Sequence, residues 1–232
     1  MVFVVAEIGV NWNGDFTILE RMVQNAKNIG CNAIKLQAFN APIVEQHPKK
    51  EMLLKTSVNE ENIAQIDNLS KSIGIEWFCT PMYHEAVDFI DPYVQRYKIR
   101  NEDGKDLVNN KPSLLAEKIL ATDKEMIVSS ETSPKESQYY NFEKIKWLYV
   151  VPKYPCEISD IDFRNISDFD GYSNHFPHII APITAVSLES QIIEVHITDS
   201  KQGPYVDNPV SFDYKELKEL IIAIRYLEKL KR

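Results

Sequence analysis

Glycine is scarce in this sequence, seven in 232 residues. None falls in a GxGxxG or GxxxxGK[ST] pattern, which removes the Gly-rich phosphate cradles of nucleotide-binding folds. Cysteine is scarcer still. Cys31, Cys79 and Cys156 are odd in number, far apart and without a CxxC pair, so neither a zinc knuckle nor a dithiol is expected, and reduced thiols of a cytoplasmic protein are the simplest account. Basic residues are in deficit, 26 Lys+Arg against 34 Asp+Glu for a net charge of −8. That balance argues against nucleic acid or an anionic membrane as partner, since both need a basic field. No apolar run reaches the roughly 18 residues of a membrane span. The opening MVFVVAEIGV lacks the basic flank and long apolar core of a secretion signal.

What is present is alternation. Short apolar runs that predict strands lie at Val2–Ile8, Asn32–Phe39, Ile75–Cys79, Val94–Ile99, Glu125–Ser129, Ile145–Val151, Asp170–Ser173 and Gln191–Ile197. Between them helical periodicity predicts Phe16–Ile29, Val58–Ile73, His84–Ile90, Ser113–Leu120, a short helix from Ser133-Pro134 to about Tyr140, a brief segment at Phe163–Ile166, His178–Leu188 and Tyr214–Leu230. Gly30 and Gly74 stop the first two helices. Strand–helix alternation implies parallel pairing through right-handed crossovers. Eight such units without a linker favour one domain over residues 1–232, a closed (β/α)8 TIM barrel of the α/β class. An open doubly wound sheet is the alternative, weakened by the missing phosphate fingerprint. The segment Asn40–Thr56 reads as a long second loop able to act as a lid.

In such a barrel the site lies at the carboxyl ends of the strands, and the polar residues gather there. In strand order they are Glu7; Lys35 and Gln37; Thr80; Lys98, Asn101 and Asp103; Ser129; Tyr154; Ser173 and His175; and Glu194 and His196. Singly each has a bland explanation: a strand lysine running to the surface along its stem, a histidine satisfied in the barrel mouth, a structural carboxylate. All eight strands placing such groups at one end is harder to explain that way. His175 and His196 end adjacent strands and could share one divalent metal, or simply be a hydrogen-bonded pair. Lys35 and Lys98 aimed into one mouth would repel each other without an anion. With the hydroxyls of Thr80, Ser129 and Ser173 they suit a phosphate. Glu7, Glu194 and Asp103 supply carboxylates for proton transfer or for hydrogen bonds to a polyol.

These residues stand in motifs similar to those of the sialic acid (N-acetylneuraminate) synthase family. They are Ala6-Glu7-Ile8-Gly9-Val10-Asn11 followed by Asn13-Gly14, Ala33-Ile34-Lys35-Leu36-Gln37-Ala38-Phe39, Thr80-Pro81, Tyr97-Lys98-Ile99, Tyr154-Pro155, Gly171-Tyr172-Ser173-Asn174-His175, Ile193-Glu194-Val195-His196, Gly203-Pro204 and Ser211. The resemblance implies a barrel that condenses phosphoenolpyruvate with an N-acylated hexosamine aldehyde, such as an N-acetylmannosamine-like sugar, giving a nonulosonic 2-keto acid and phosphate. It implies a divalent metal, manganese or magnesium, on His175 and His196. Lys35, Lys98, Thr80, Ser129 and Ser173 would surround the enol phosphate, and Glu7 and Gln37 would sit near the sugar. Asp103 falls near a family carboxylate after the fourth strand. Asp207 matches the family's aspartate before the last helix if two residues are inserted after Pro204.

The sequence departs from the family pattern in several places. Trp12 stands where the family has His, so that position can stack or pack a lid but cannot transfer a proton. Arg100 and Asn101 replace small residues, with Arg100 either contacting an anion or pointing to solvent. Asn174 replaces an aspartate ahead of the metal histidine, the asparagine expected near Pro152 is missing, and Glu131 replaces a glycine. Family members commonly form homodimers and carry a C-terminal antifreeze-like domain. The expectation here is the barrel domain only, so contacts of an antifreeze-like domain with the acyl sugar would be absent unless a separate chain supplies them. Two other functions stay open at this point: a metal-dependent aldolase or isomerase on a phosphorylated sugar, and a non-catalytic ligand-binding or partner subunit of the same fold.

Overall fold

A computed structural model describes residues 1–231. Eight strands close a barrel in sequence order: β1 Phe3–Glu7, β2 Ala33–Ala38, β3 Glu76–Pro81, β4 Arg96–Ile99, β5 Glu125–Ser130, β6 Ile145–Val150, β7 Gly171–Asn174 and β8 Ile192–His196. Every neighbouring pair is parallel, including β8 with β1. The strands are buried on both faces, which is why they read as near-continuous apolar runs rather than alternating ones. Register then fixes the site: Glu7 lies opposite Lys35 on one side and His196 on the other, and Ser173 lies opposite Glu194.

The helices are α1 Phe16–Ile29, α2 Ala41–Val44, α3 Lys50–Thr56, α4 Ile63–Ile73, α5 Ala86–Ile90, α6 Asn101–Val108, α7 Leu114–Leu120, α8 Ile180–Ser187 and α9 Tyr214–Leu230. Helix α1 starts where the Asp15 side chain accepts from Thr17 and Ile18 N–H and ends at Gly30, φ +110°. It buries Leu19, Met22, Val23 and Ala26. Helix α9 opens with a reciprocal capping box between Asp213 and Glu216 and buries Leu217, Leu220, Ile221 and Ile224.

Four local expectations change. The long second loop holds α2 and α3. Helix α4 begins at Ile63 rather than Val58, because Asn59 Oδ1 takes the Glu61 and Asn62 N–H groups into a turn first. The short helix expected from Ser133 to Tyr140 is a run of turns. There the Ser133 hydroxyl is drawn to Asp168 and that of Ser137 to the Leu107 carbonyl, in competition with helical pairing. Helix α6 was not expected, since Gly104 lies at its centre and breaks the apolar rhythm. Among the described residues no helix is long and apolar enough to cross a membrane.

Candidate active site

A cavity of about 350 Å³ opens at the carboxyl ends of the strands. Glu7, Lys35, Gln37, Thr80, Lys98, Asn101, Ser129, Tyr154, Ser173, His175, Glu194, His196 and Asp207 all line it. Asp103 does not. Its carboxylate takes the Arg100 Nε hydrogen bond at 2.7 Å, so it holds Arg100, which does face the cavity.

The two lysines meet carboxylates inside the barrel. Lys35 Nζ lies 2.8 Å from Glu7 Oε2 and donates to Thr80 Oγ1 at 2.9 Å. Lys98 Nζ donates to Glu194 Oε1 at 2.7 Å, and Ser173 Oγ donates to the same oxygen at 2.9 Å. Lys35 is also 4.0 Å from Glu194. The expected repulsion between ammoniums is therefore relieved within the chain. Burial works against the Lys35 ammonium, but Glu194 and Glu7 more than offset it and its pKa is raised. Burial also works against the Glu194 carboxylate, yet Lys35 and Lys98 draw its pKa down to about 2. Lys98 is pushed below the ordinary lysine range, by burial first and by Lys35 in addition. Buried ion pairs of this kind add little net stability, because desolvation consumes most of the attraction. Their presence in a cavity points to use rather than support.

Several polar atoms there have no protein partner. Ser129 Oγ and Glu194 Oε2 are buried and make no hydrogen bond, and such groups are costly unless a ligand meets them. His196 Nδ1 faces Asp207 Oδ2 at 3.3 Å, and Nε2 faces the Tyr154 hydroxyl at 3.4 Å. His175 Nδ1 donates to the Val151 carbonyl at 2.7 Å, which leaves a lone pair on Nε2. Burial and the neighbouring His196 imidazole hold the His175 pKa down at about 3, so the ring is neutral at physiological pH. The two imidazole centroids are 5.4 Å apart, and the Tyr154 ring lies 3.9 Å from that of His175. A neutral His175 with an open Nε2 beside a second imidazole is a donor set that could hold a divalent metal. Among the described residues no third His, Cys, Asp or Glu completes a ligating group, so further ligands to such a metal would be water or substrate.

The first loop shows how backbone places these groups. Gly9 has φ +52°, and a Cβ there would meet Glu7 Oε1 at 2.9 Å, so the chain can turn over the carboxylate only without a side chain. Glu7 Oε1 accepts from Gln37 Nε2 at 2.7 Å. Buried Asn11 donates to the Ile197 carbonyl and to Ser211 Oγ, both at 2.9 Å, and accepts the Asp207 N–H at 3.0 Å. It thereby fixes the loop that brings Asp207 to His196. Trp12 is buried outside the cavity, packs edge-on against Phe16 and donates Nε1–H to the Thr56 carbonyl at 3.2 Å. Of the roles open to it, packing is the one observed, against Phe16 and the end of α3. The sequence reasoning missed Val10, Phe39, Val44, His47, Leu53, Met82, Glu102 and Val206 in the lining. Most are apolar, and nothing in a sequence separates an apolar cavity wall from core.

The sequence model of the NeuB family matches residues 22–232. The chain belongs to the NeuB family. This NeuB-family barrel is 28% identical to the N,N'-diacetyllegionaminic acid synthase of Legionella pneumophila, over 97% of this chain and 72% of that protein. It is 26% identical to the human N-acetylneuraminate-9-phosphate synthase, over 98% of this chain and 70% of that one. Among solved structures it is similar to the N-acetylneuraminic acid synthetase of Leptospira borgpetersenii in complex with citrate, with TM-score 0.85 and 26% identity over 99% of this chain and 85% of that chain. The fold alone is shared with a truncated 3-deoxy-D-arabino-heptulosonate 7-phosphate synthase of Thermotoga maritima, at TM-score 0.70 and 12% identity.

Proposed function

We propose that the protein is a C–C bond-forming transferase that condenses phosphoenolpyruvate with an amino-sugar aldehyde, giving a nonulosonic 2-keto acid and inorganic phosphate. One observation carries the proposal: two buried ammoniums and three hydroxyls converge beside two buried imidazoles in a single cavity. Lys35, Lys98, Thr80, Ser129 and Ser173 bind the phosphate and carboxylate of the enol phosphate, and the unpaired Ser129 hydroxyl gains its partner there. C3 of phosphoenolpyruvate bonds to the aldehyde carbon, and the aldehyde oxygen takes up a proton. Water adds at the electron-poor C2 and gives up its proton. The C2–O bond to phosphate then breaks as the new C2 hydroxyl gives up its remaining proton to the departing phosphate, leaving the ketone. Lys35 stays protonated and stabilises the departing phosphate electrostatically. Glu7, set between Lys35 and Gln37, is the carboxylate placed to orient and exchange protons with the reacting water or sugar.

His175 and His196 would hold a divalent metal, Mn2+ or Mg2+, which supplies Lewis-acid polarisation of a carbonyl when bound. Metal titration followed by calorimetry tests this: each His→Ala variant is expected to lose binding while its melting curve stays cooperative. The buried thiols and the substrates support a cytoplasmic location.

The assay is release of phosphate in step with keto acid, requiring both phosphoenolpyruvate and an N-acylated hexosamine aldehyde. Absence of both phosphoenolpyruvate binding and phosphate release overturns the proposal. The depressed Lys98 favours one second reading, a Schiff-base aldolase. In that case borohydride with the aldehyde present would trap a covalent adduct on Lys98. None is expected, because Glu194 holds that nitrogen as an ion pair.

A further inference from the structure

The floor of the cavity carries no surplus of positive charge. Lys35 is paired with Glu7 at 2.8 Å and Lys98 with Glu194 at 2.7 Å, so ammoniums and carboxylates cancel there. An enol phosphate brings both a carboxylate and a phosphate, and a cation beyond those pairs would favour its entry. The other carboxylates of the lining are Asp207, turned to His196, and Glu102, whose side chain is 68% exposed. The remaining cation of the lining is Arg100. Arg100 stands directly after β4, and its backbone stays extended, with φ −75° and ψ 168°. The alternation of the strand therefore carries through, and its side chain follows that of Lys98 into the cavity, roughly 7 Å nearer the mouth. The backbone beneath it is held from both sides. The Arg100 carbonyl accepts the Gly104 N–H at 2.8 Å as the N-cap of α6, and Asn101 Oδ1 accepts the Glu131 N–H at 2.8 Å, which ties that turn to the end of β5.

A guanidinium offers five N–H donors in a rigid fork. Nε of Arg100 gives one to Asp103 Oδ2 at 2.7 Å, and Nη1 rests 3.8 Å from the Met82 sulfur, a weak acceptor. Among the described residues no oxygen takes a hydrogen bond from either terminal nitrogen. The Asp103 contact thus sets the plane of the fork and leaves its end without an oxygen partner. The placement works against the protein alone, because a cation at a helix N-terminus meets the positive end of the helix dipole. Glu102 and Asp103 in the first turn of α6 offset that without using the end of the fork.

We infer that Arg100 binds phosphoenolpyruvate, its two terminal nitrogens taking a pair of oxygens from one acidic group of that molecule above the lysines, and that Asp103 is a positioning residue acting through the Arg100 Nε. The planar fork matches a carboxylate or a phosphate bidentately, which an ammonium does not. Arg100 is one of the positions at which this sequence departs from the family pattern, so the contact is particular to this chain. The inference rests on the proposed condensation.

The test is calorimetric titration with phosphoenolpyruvate, together with steady-state kinetics, on the whole chain and its variants. Arg100→Met is expected to fold, since the α6 N-terminus is relieved of a cation. It is expected to weaken phosphoenolpyruvate binding, and to raise KM for it, about tenfold to a hundredfold, with KM for the aldehyde unmoved. Arg100→Lys keeps the charge without the fork and should recover part of that loss. Asp103→Asn should weaken phosphoenolpyruvate binding about threefold to tenfold by itself and add nothing to Arg100→Met, because a residue that acts through the guanidinium has nothing to act on once it is gone. Unchanged phosphoenolpyruvate affinity in Arg100→Met, or a rise confined to KM for the aldehyde, overturns the inference and leaves the condensation standing. Additive losses in the double variant overturn the role of Asp103. If the unmodified protein neither binds phosphoenolpyruvate nor releases phosphate, the condensation falls and this inference with it.

Discussion

At the scale of single residues the site trades stability for binding. Ser129 is the clearest case, because its hydroxyl is buried beside the lysines with no protein partner. Ser129→Ala is expected to leave folding unchanged or strengthen it by about 1 kcal/mol, since removing an unsatisfied buried hydroxyl relieves its desolvation cost. The same change should raise KM for phosphoenolpyruvate by about tenfold or more, the worth of a hydrogen bond to a charged group. Denaturant titration and steady-state kinetics on one variant check both signs. The thiols behave in the opposite way. Burial holds the Cys31 pKa up at about 12 and that of Cys156 at about 11, and pushes Cys79 upward also. All three are therefore thiols, not thiolates, at pH 8. Iodoacetamide at that pH is expected to leave the native protein unlabelled over a time in which the denatured chain takes three labels, counted by intact mass. The histidines, the lysines, Glu7 and Glu194 were legible from their gathering at strand ends, and Asp207 only from the family resemblance. The carboxylate–lysine pairing was not, since Lys98 and Glu194 are 96 positions apart.

At the scale of elements, contact distance overrides propensity. Helix α6 carries Gly104 where alanine is the better helix former by about 1 kcal/mol. A Cβ at that position would lie 2.2 Å from the Ser129 carbonyl oxygen, so α6 rests directly on the end of β5. Gly104→Ala is expected to destabilise by about 2 kcal/mol net, the cost of forcing packed backbone apart exceeding the propensity gain. Because Ser129 is the residue displaced, phosphoenolpyruvate affinity should fall with it, and the two effects are read by denaturation and by calorimetric titration. The same close approach explains why α6 was invisible in the sequence. Its helical signal is diluted by a glycine whose purpose is packing. The strands and the long helices α1, α4 and α9 were legible, because each repeats its pattern over enough residues to stand out. Helices α2 and α3, at four and seven residues, are too short for a period to show.

At the scale of the whole molecule, pH acts through carboxylates that the fold pairs with cations. Hydrogen bonding to Arg21 lowers the Asp199 pKa, that to Lys153 lowers Asp160, and that to Arg164 draws Asp162 to about 2. A carboxylate whose pKa is lower folded than unfolded adds stability above its unfolded value near 4 and loses it as pH falls through the folded one. Their cationic partners Arg21, Lys153 and Arg164 are exposed to solvent, so each contribution is small. Together they predict that chemical-denaturation stability falls as pH drops below about 4. A rise in stability between pH 4 and pH 2 would contradict the pairing. The sequence by itself determined the alternation, and with it the closed barrel and the end of the barrel where chemistry gathers. Those follow from periodicity and chain direction, which are local properties. Only the tertiary structure decided that the lysines are paired with carboxylates from within, that Asp103 serves Arg100, that Trp12 ties down the end of α3, and that an apolar cluster lines the polar cavity. Each of these depends on distances between residues far apart in the chain, and closure of the barrel is what sets those distances.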